Sequence, residues 1–138
     1  MNKKEMNNKG FSLVELIIVI AIMAILVGVL APQFIKYVEQ SRESTDLQNI
    51  EEYKTAVEAA VADGAFTTAT ITVSGSTTKT ISCNQDLSEY GLPAAGVTSS
   101  LKSAEWPATS EYKYENFKWT NPSGHAKYYN LDGSKVTP

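Results

Sequence analysis

An apolar run of sixteen residues, from Leu16 to Ala31, limits more than any other feature what this chain can fold into. Between Phe11 and Ala31 the only ionisable side chain is Glu15. A stretch of this kind is typical of a membrane-spanning helix, which needs about 20 mostly apolar residues. An ionised side chain at the centre of such a helix costs about 2.5–3.5 kcal/mol, so it normally has a partner and a role. The run itself supplies no partner for Glu15.

A short polar leader precedes this run and ends at Gly10, and its charged residues are Lys3, Lys4, Lys9 and Glu5. Phe11 follows the glycine, and Glu15 comes four residues later. In this order the features resemble the N-terminus of type IV prepilins, which carry the class III signal peptide. In that family a prepilin peptidase cuts after the glycine and methylates the new terminus. The resemblance covers about residues 3–35, and it implies cleavage between Gly10 and Phe11, N-methylation of Phe11 and a filament subunit.

Two simpler interpretations of the same stretch are a secretory signal peptide and a plain signal anchor. The apolar core of a secretory signal is about 7–15 residues long and ends at a small-residue cleavage site. This run is longer and closes on Ala31, Pro32 and Gln33. A plain anchor explains the length but leaves Glu15 without a function, so the prepilin interpretation is favoured.

Charge and length predict a three-part organisation. The net charge of −3 combines +2 in residues 1–10 with −5 in the remainder. The basic leader holds the N-terminus in the cytoplasm by the positive-inside rule, so everything after Pro32 faces outward. We predict a leader over residues 1–10, a transmembrane and filament-core helix over 11–32 and an extracellular globular domain over 33–138. An acidic domain is a poor nucleic-acid binder, because phosphate contacts need clustered Lys and Arg.

The helix is predicted to continue past the membrane. In the segment 33–63, apolar residues recur every three or four positions at Leu47, Ile50, Tyr53, Val57, Ala60 and Val61. This spacing marks one face of a helix, and Gly64 supplies a stop signal. An unbroken helix over residues 11–63 is the expectation. The charged residues Glu39, Arg42, Glu43 and Asp46 are interpreted as a solvated face.

Gly28 and Pro32 form a weak point within this helix. Pro32 has no N–H for the carbonyl four residues earlier, which belongs to Gly28. Glycine is also the weakest helix former in the run. We expect a kink or a locally melted segment there. The family resemblance adds that loss of helical order over residues 28–32 would let an assembled fibre stretch.

Residues 64–138 are predicted to be β-rich. The segments 67–73 and 79–83 read as a hairpin, and 92–107 as a connector with a short helix around Ser99 to Ser103. Residues 112–119 read as an aromatic strand with a β-bulge near Glu115 and Asn116, and 127–131 as a returning strand. About four antiparallel strands laid on the helix would give a pilin-like α+β fold. Its packing face is assigned to the aromatic residues Tyr112, Tyr114, Phe117, Trp119, Tyr128 and Tyr129.

Residues that carry chemistry are sparse. Cys83 is the only cysteine and is interpreted as a small buried residue near a strand end. His125 is the only histidine, and no acid or cysteine stands at a triad or metal-ligand spacing from it. Asp132-Gly133 lacks the flanking acids of a calcium loop and is read as a turn. We therefore expect no catalytic residue, no metal and no cofactor.

The resemblance implies a structural subunit of a type IV pilus, which is not an enzyme. Its partners would be copies of itself in a helical filament, the prepilin peptidase, the assembly platform and, before assembly, membrane lipid. Glu15, Gly28 and Pro32 are the predicted assembly residues, with Glu15 setting the axial register between subunits. The alternatives are a pseudopilin of a type II secretion or competence system, or an anchored surface-binding protein that never polymerises.

Overall fold

A computed structural model describes residues 10–137 of the 138-residue chain. The elements follow in the order α1 (Leu13–Ala62), β1 (Ala69–Ser74), β2 (Thr80–Cys83), a short 3-10 helix (Ser88–Tyr90), β3 (Ser99–Ser100), β4 (Thr109–Glu115) and β5 (Lys118–Thr120). The chain divides into two compact units between Tyr37 and Val38. The predicted pilin-like α+β architecture is confirmed, whereas the predicted leader falls almost entirely outside the described residues.

Helix α1 has 50 residues, close to the predicted 53, and ends as the sequence indicated. Gly64 adopts the left-handed conformation with φ +80°. The Gly64 N–H donates to the Val61 carbonyl at 3.0 Å, and the Ala65 N–H donates to the Ala60 carbonyl at 2.9 Å. These two bonds form a Schellman motif, which satisfies carbonyls that the last helical turn leaves unpaired.

In the first unit, α1 is apolar on every side. Its large hydrophobic side chains from Leu13 to Ile35 are all exposed. This part of the helix is long and apolar enough to cross a membrane. The helix runs through Gly28 and Pro32 without interruption. Melting of that segment is therefore not a feature of this chain on its own, and in an assembled fibre it stays a prediction.

The second unit contains one antiparallel sheet with the strand order β3-β2-β1-β4-β5. The predicted hairpin is confirmed, since β1 pairs with β2 through partners such as Ile71 with Cys83. The predicted helix around Ser99 is wrong. Ser99 and Ser100 instead extend the sheet edge by pairing with Ile81 and Thr80, which satisfies the backbone of both segments.

The predicted bulge near Asn116 is also wrong, because the chain reverses there. Glu115 pairs with Lys118, leaving Asn116 and Phe117 as a two-residue turn with φ +51° and +61°. Positive φ at both central positions is the mark of a type I′ turn, whose twist matches that of a hairpin. Phe117 is 81% exposed and does not belong to the packing face to which the sequence assigned it.

The core of the second unit lies between α1 and the sheet. The predicted stripe on α1 is confirmed, with Ile50, Tyr53, Val57 and Ala60 all buried. The strands contribute their alternating inward residues, and the loops close the ends. The buried hydrophobic residues of strands and loops are Ala69, Ile71, Val73, Ile81, Cys83, Leu87, Leu101, Trp106, Tyr112, Tyr114, Ala126 and Leu131.

The C-terminal residues cross the unit as loops, where the sequence predicted a strand over 127–131. Only isolated bridges form, between His125 and Asn130 and between Tyr129 and Lys135. The Tyr112 hydroxyl anchors this segment by donating to the Leu131 carbonyl at 2.5 Å. Burial raises the pKa of Tyr112, so its hydroxyl stays protonated and keeps donating.

The prediction of a solvated face is wrong for the three acids, since Glu43 and Asp46 are fully buried and Glu39 is half-buried. Arg42 is exposed, as predicted. The Asp46 carboxylate accepts from the N–H groups of Lys102 at 2.7 Å and Ser103 at 2.8 Å and from Trp106 Nε1 at 2.9 Å.

The other two acids hold neighbouring loop groups. Glu43 accepts from the Tyr128 N–H at 3.1 Å, and Glu39 accepts from the Ser103 hydroxyl. Burial raises the pKa of Glu43 from its ordinary value. The acids fix two loops whose N–H groups no strand satisfies.

Candidate functional site

The predicted processing and register residues lie together at the start of α1. Gly10, Phe11 and Ser12 precede the helix, and Glu15 is in its first turn. The Ser12 N–H donates to Glu15 Oε2 at 3.3 Å, and the Glu15 N–H donates to Ser12 Oγ at 3.3 Å. This reciprocal pair is a capping box, which satisfies two N–H groups that the helix leaves unpaired.

The capping box gives Ser12 a role that our sequence interpretation missed. A Ser followed three residues later by Glu, just before an apolar run, is the sequence signature of this motif and would have identified it. The bonds hold the Glu15 carboxylate at the helix N-terminus, where the helix dipole favours negative charge. The carboxylate therefore stays close to the Gly10–Phe11 bond that the resemblance marks for cleavage.

Gly10 and Phe11 are both open to a partner. Both residues are exposed, and the Phe11 side chain is 81% exposed. A glycine on the amino side of the bond lets another backbone approach closely, because it has no Cβ. Around this site, the side chains of Leu13, Val14 and Leu16 are also exposed. Glu15 is thus the one carboxylate in an apolar surface that a lone chain leaves uncovered.

Gly28 and Pro32 lie further along α1, apart from the processing residues. A Cβ added at Gly28 would meet no atom within 4 Å, so packing within the chain does not require glycine there. Pro32 leaves the Gly28 carbonyl without its helical donor. The structure does not bring either residue into contact with Glu15's segment, and their assigned role stays a prediction about assembled subunits.

A second surface, absent from the sequence interpretation, is an open groove of about 890 Å³ on the second unit. Its floor is one side of α1 over residues 44–59, and its walls are the loops 90–92 and 129–133. Half-buried apolar side chains line it, among them Leu47, Tyr90, Leu92 and Tyr129. Periodicity alone did not reveal this groove, because the two loops that form it are distant in sequence.

The three residues considered as catalytic or metal-binding candidates, Cys83, His125 and Asp132, have no catalytic partner among the contacts described below. Cys83 is buried at the end of β2, as predicted, and burial raises the pKa of its thiol. His125 is exposed, with Nδ1 2.6 Å from the Ala126 carbonyl. Asp132 caps its own turn by accepting from the Ser134 N–H at 2.8 Å. Within residues 10–137, no group of three His, Cys, Asp or Glu side chains is placed to hold a metal ion.

The N-terminal segment of the chain is similar to a known family and to known proteins. Residues 6–31 match the family model described as the prokaryotic N-terminal methylation motif. The type IV major fimbrial protein FimA of Dichelobacter nodosus is 41% identical over 56 residues, which cover 41% of this chain and 36% of FimA. The fimbrial protein of Pseudomonas aeruginosa is 38% identical over 56 residues, with the same coverage of 41% and 36%. The chain therefore spans about a third of the length of these relatives.

A third relative extends the similarity beyond the N-terminal helix. The type IV narrow pilus major component PilA5 of Thermus thermophilus is 28% identical over 115 residues, covering 70% of this chain and 96% of PilA5. No solved structure matches the chain. The methylation motif, the long apolar helix on an antiparallel sheet and these relatives agree with one another. Together they support a type IV pilin.

Proposed function

We propose that this chain is a structural subunit of a type IV pilus, cleaved after Gly10, N-methylated on Phe11 and polymerised through α1. The observation that carries the proposal is the exposed apolar surface from Leu13 to Ile35, with Glu15 as its one carboxylate. Apolar surface on this scale needs a cover, because water contact is unfavourable in proportion to its area. The pilin relatives support a cover made of identical helices.

Lipid and sister subunits would cover the same surface in turn. Before assembly, the apolar helix spans the cell membrane with its N-terminus in the cytoplasm, where the prepilin peptidase cuts. After cleavage, the assembly platform moves the helix from lipid into the core of a surface filament. Both environments are apolar, so the transfer changes little of the burial energy. Selectivity must then come from the few polar groups in the helix.

Glu15 is the polar group best suited to select the axial register. Cleavage creates a protonated amine on Phe11, and Glu15 lies four residues further along the chain, in the first turn of α1. In a staggered stack, Glu15 of an incoming subunit would neutralise the amine of the subunit already placed. Leaving both charges unpaired in a low dielectric is costly, so one register is favoured over its neighbours.

We propose that α1 melts locally at Gly28 and Pro32 when the filament is under tension. The Gly28 carbonyl has lost its helical donor, and glycine gains the most backbone freedom when a helix melts. Local melting there would lengthen the fibre under tension without separating the subunits. A Gly28→Ala variant should therefore assemble normally but extend less under a given force.

Variants at Gly10, Ser12 and Glu15 separate processing, capping and register. Gly10→Val should leave an uncleaved precursor in the membrane and no surface filament, because the side chain obstructs the peptidase. Glu15→Gln retains a side chain suited to the capping box but removes the charge. It should be cleaved normally yet yield few sheared filaments. Ser12→Ala, which weakens the cap and keeps the carboxylate, is the matched control and should assemble nearly as well as the wild type.

Three readouts decide between the roles: the mass of the membrane-bound chain, the amount of sheared filament and microscopy of the cell surface. Wild-type filament levels from Glu15→Gln would refute the register role. Equal assembly defects in Glu15→Gln and Ser12→Ala would reduce Glu15 to a helix cap. Uncleaved Glu15→Gln would instead assign the carboxylate to recognition by the peptidase. Normal cleavage of Gly10→Val would contradict the processing site.

A further inference from the structure

The turn between β4 and β5 presents an aromatic side chain to solvent in a conformation that favours glycine. Asn116 and Phe117 have φ +51° and +61°, and Phe117 is 81% exposed. Type I′ turns prefer Asn-Gly, because a bulky residue with positive φ is strained. Neither burial nor turn geometry explains phenylalanine at this position. Residues held in such a conformation concentrate at functional sites, where another requirement outweighs local strain.

The rigid turn also fixes where Phe117 points. Its flanking residues Glu115 and Lys118 are paired in the sheet, and β4 is bonded along its length to β1. Tyr114 and Trp119, next in from the turn, pack against each other with ring centroids 4.8 Å apart and ring planes tilted by 49°. The aromatic side chain is therefore carried on a preorganised support, so little conformational freedom is lost when it enters a partner's pocket.

The groove on α1 has the size and lining to accept an aromatic ring. Its volume of about 890 Å³ lies within the range of protein ligand pockets, about 300–1,000 Å³. The small residues Ala56 and Ala59 leave room above the helix, and Tyr90 and Tyr129 supply aromatic walls. Aromatic pairs in offset or edge-to-face contact are favourable beyond the area that they bury.

The carboxylates of the groove complement the lysine that follows Phe117, whereas Glu115, on the other side of the turn, is an exposed acid. Glu51, Glu52 and Asp132 line the groove, and Lys54, which is not among the lining residues, lies 3.6 Å from Glu51 Oε1. Hydrogen bonds from Ser134 lower the pKa of Asp132, which keeps its carboxylate ionised. Lys118, directly after Phe117, is exposed. An aromatic ring followed by a cation thus matches a groove in which apolar side chains lie beside carboxylates.

We infer that Phe117 of one copy of this chain inserts into the α1 groove of a second copy, with Lys118 against the carboxylates of the groove. The turn and the groove are different surfaces of one unit, so the contact is heterologous. Heterologous contacts build open helical assemblies when the rotation does not close. The inference rests on the proposed function as a filament subunit, to which it adds one contact between globular domains outside the helical core.

Photo-crosslinking in intact filaments tests which surface Phe117 touches. Benzoyl-phenylalanine, incorporated in place of Phe117 in the full chain, retains the aromatic ring and reacts with neighbouring C–H bonds on illumination. Mass spectrometry of sheared filaments should show crosslinks from position 117 to peptides containing residues 44–59, 90–92 or 129–133 of another copy. The matched control carries the same probe at Val97, an exposed apolar position outside the groove lining, and should not give these products.

A glycine variant separates assembly from folding. Phe117→Gly creates the preferred Asn-Gly turn, so the soluble fold should be at least as stable as that of the wild type. The filament should nevertheless lose contacts, and the yield of sheared filaments should fall about tenfold, since truncated aromatic anchors commonly weaken binding by that factor or more. Phe117→Tyr, which keeps the ring, should restore the wild-type yield.

The outcomes distinguish this inference from the proposed function. Wild-type filaments that crosslink elsewhere, or Phe117→Gly filaments as abundant as the wild type, would overturn the contact and leave the pilus subunit intact. Crosslinks to another protein or to lipid would also overturn it. A wild-type chain absent from all surface filaments would overturn both.

Discussion

Replacement of Asp46 by alanine should destabilise the second unit more than any other single loss of charge. The Asp46 carboxylate is fully buried and accepts three hydrogen bonds of 2.7, 2.8 and 2.9 Å, from Lys102, Ser103 and Trp106. Each donor left without an acceptor costs about 1–3 kcal/mol when it stays buried. The three costs are not additive, because the loop relaxes and water enters, so we expect a total loss of about 3–5 kcal/mol.

A loss of about 3–5 kcal/mol is a large part of the total stability, because a domain of this size is stable by only about 5–15 kcal/mol. Asp46→Asn should cost less than Asp46→Ala, since its amide oxygen still accepts one or two of the bonds. The control is Glu52→Ala, which removes an exposed carboxylate from the same helix and should change stability by less than about 0.5 kcal/mol.

The assay is urea unfolding of the full chain in detergent, followed by circular dichroism and tryptophan fluorescence. Trp106 is buried against Asp46, so its emission reports directly on the affected loop. Linear extrapolation to water gives the free energy of unfolding for each variant. An Asp46→Ala variant within about 0.5 kcal/mol of the wild type would show that this carboxylate does not hold the loop.

Three further predictions concern the same unit. Because burial raises the pKa of Glu43 in the folded state, the folded chain binds this proton more tightly than the unfolded chain does. The contribution of Glu43 to stability therefore falls as pH rises through the raised pKa. Glu43→Gln should flatten this dependence of the urea midpoint on pH, and an unchanged slope would count against a role for Glu43. Gly75→Ala places a Cβ 2.0 Å from the Thr78 carbonyl oxygen and should lower the free energy of unfolding by more than about 2 kcal/mol. Gly64→Ala meets open space and should lower it by about 1 kcal/mol. Thermal unfolding measures both values, and equal losses of stability would contradict the geometry. Deletion of residues 1–35 should leave a soluble, monomeric α+β domain at low concentration, and its aggregation or the loss of helix or strand signal in circular dichroism would argue against two separable units.

The sequence predicted the elements that local signals determine. The apolar stripe, the Gly64 stop and the β-branched segments each follow from short-range patterns, and α1, β1 and β2 formed as expected. The buried acids were missed although a signal was present. Glu39, Glu43 and Asp46 continue the spacing of three and four residues that leads into Ile50 and the rest of the stripe. We predicted that these acids are exposed because they are charged, but their positions on the apolar stripe place them in the interior.

Other differences depend on contacts that no local pattern encodes. Ser99 and Ser100 are polar residues without a strand pattern of their own. They form a strand because they pair with the free edge of β2. Phe117 interrupts an aromatic alternation, which suggested a bulge in one strand, yet Glu115 pairs with Lys118 across a turn. The groove between the loops 90–92 and 129–133 likewise arises from the tertiary fold.

Mass spectrometry of the chain from sheared surface filaments tests whether it is cleaved after Gly10, methylated and polymerised. We expect an N-terminal peptide that begins at Phe11 and carries one methyl group, with fragment ions that place the methyl group on the amine of Phe11. A chain that retains Met1 to Gly10 in the surface fraction, or one recovered only from membranes and never from filaments, would contradict this expectation.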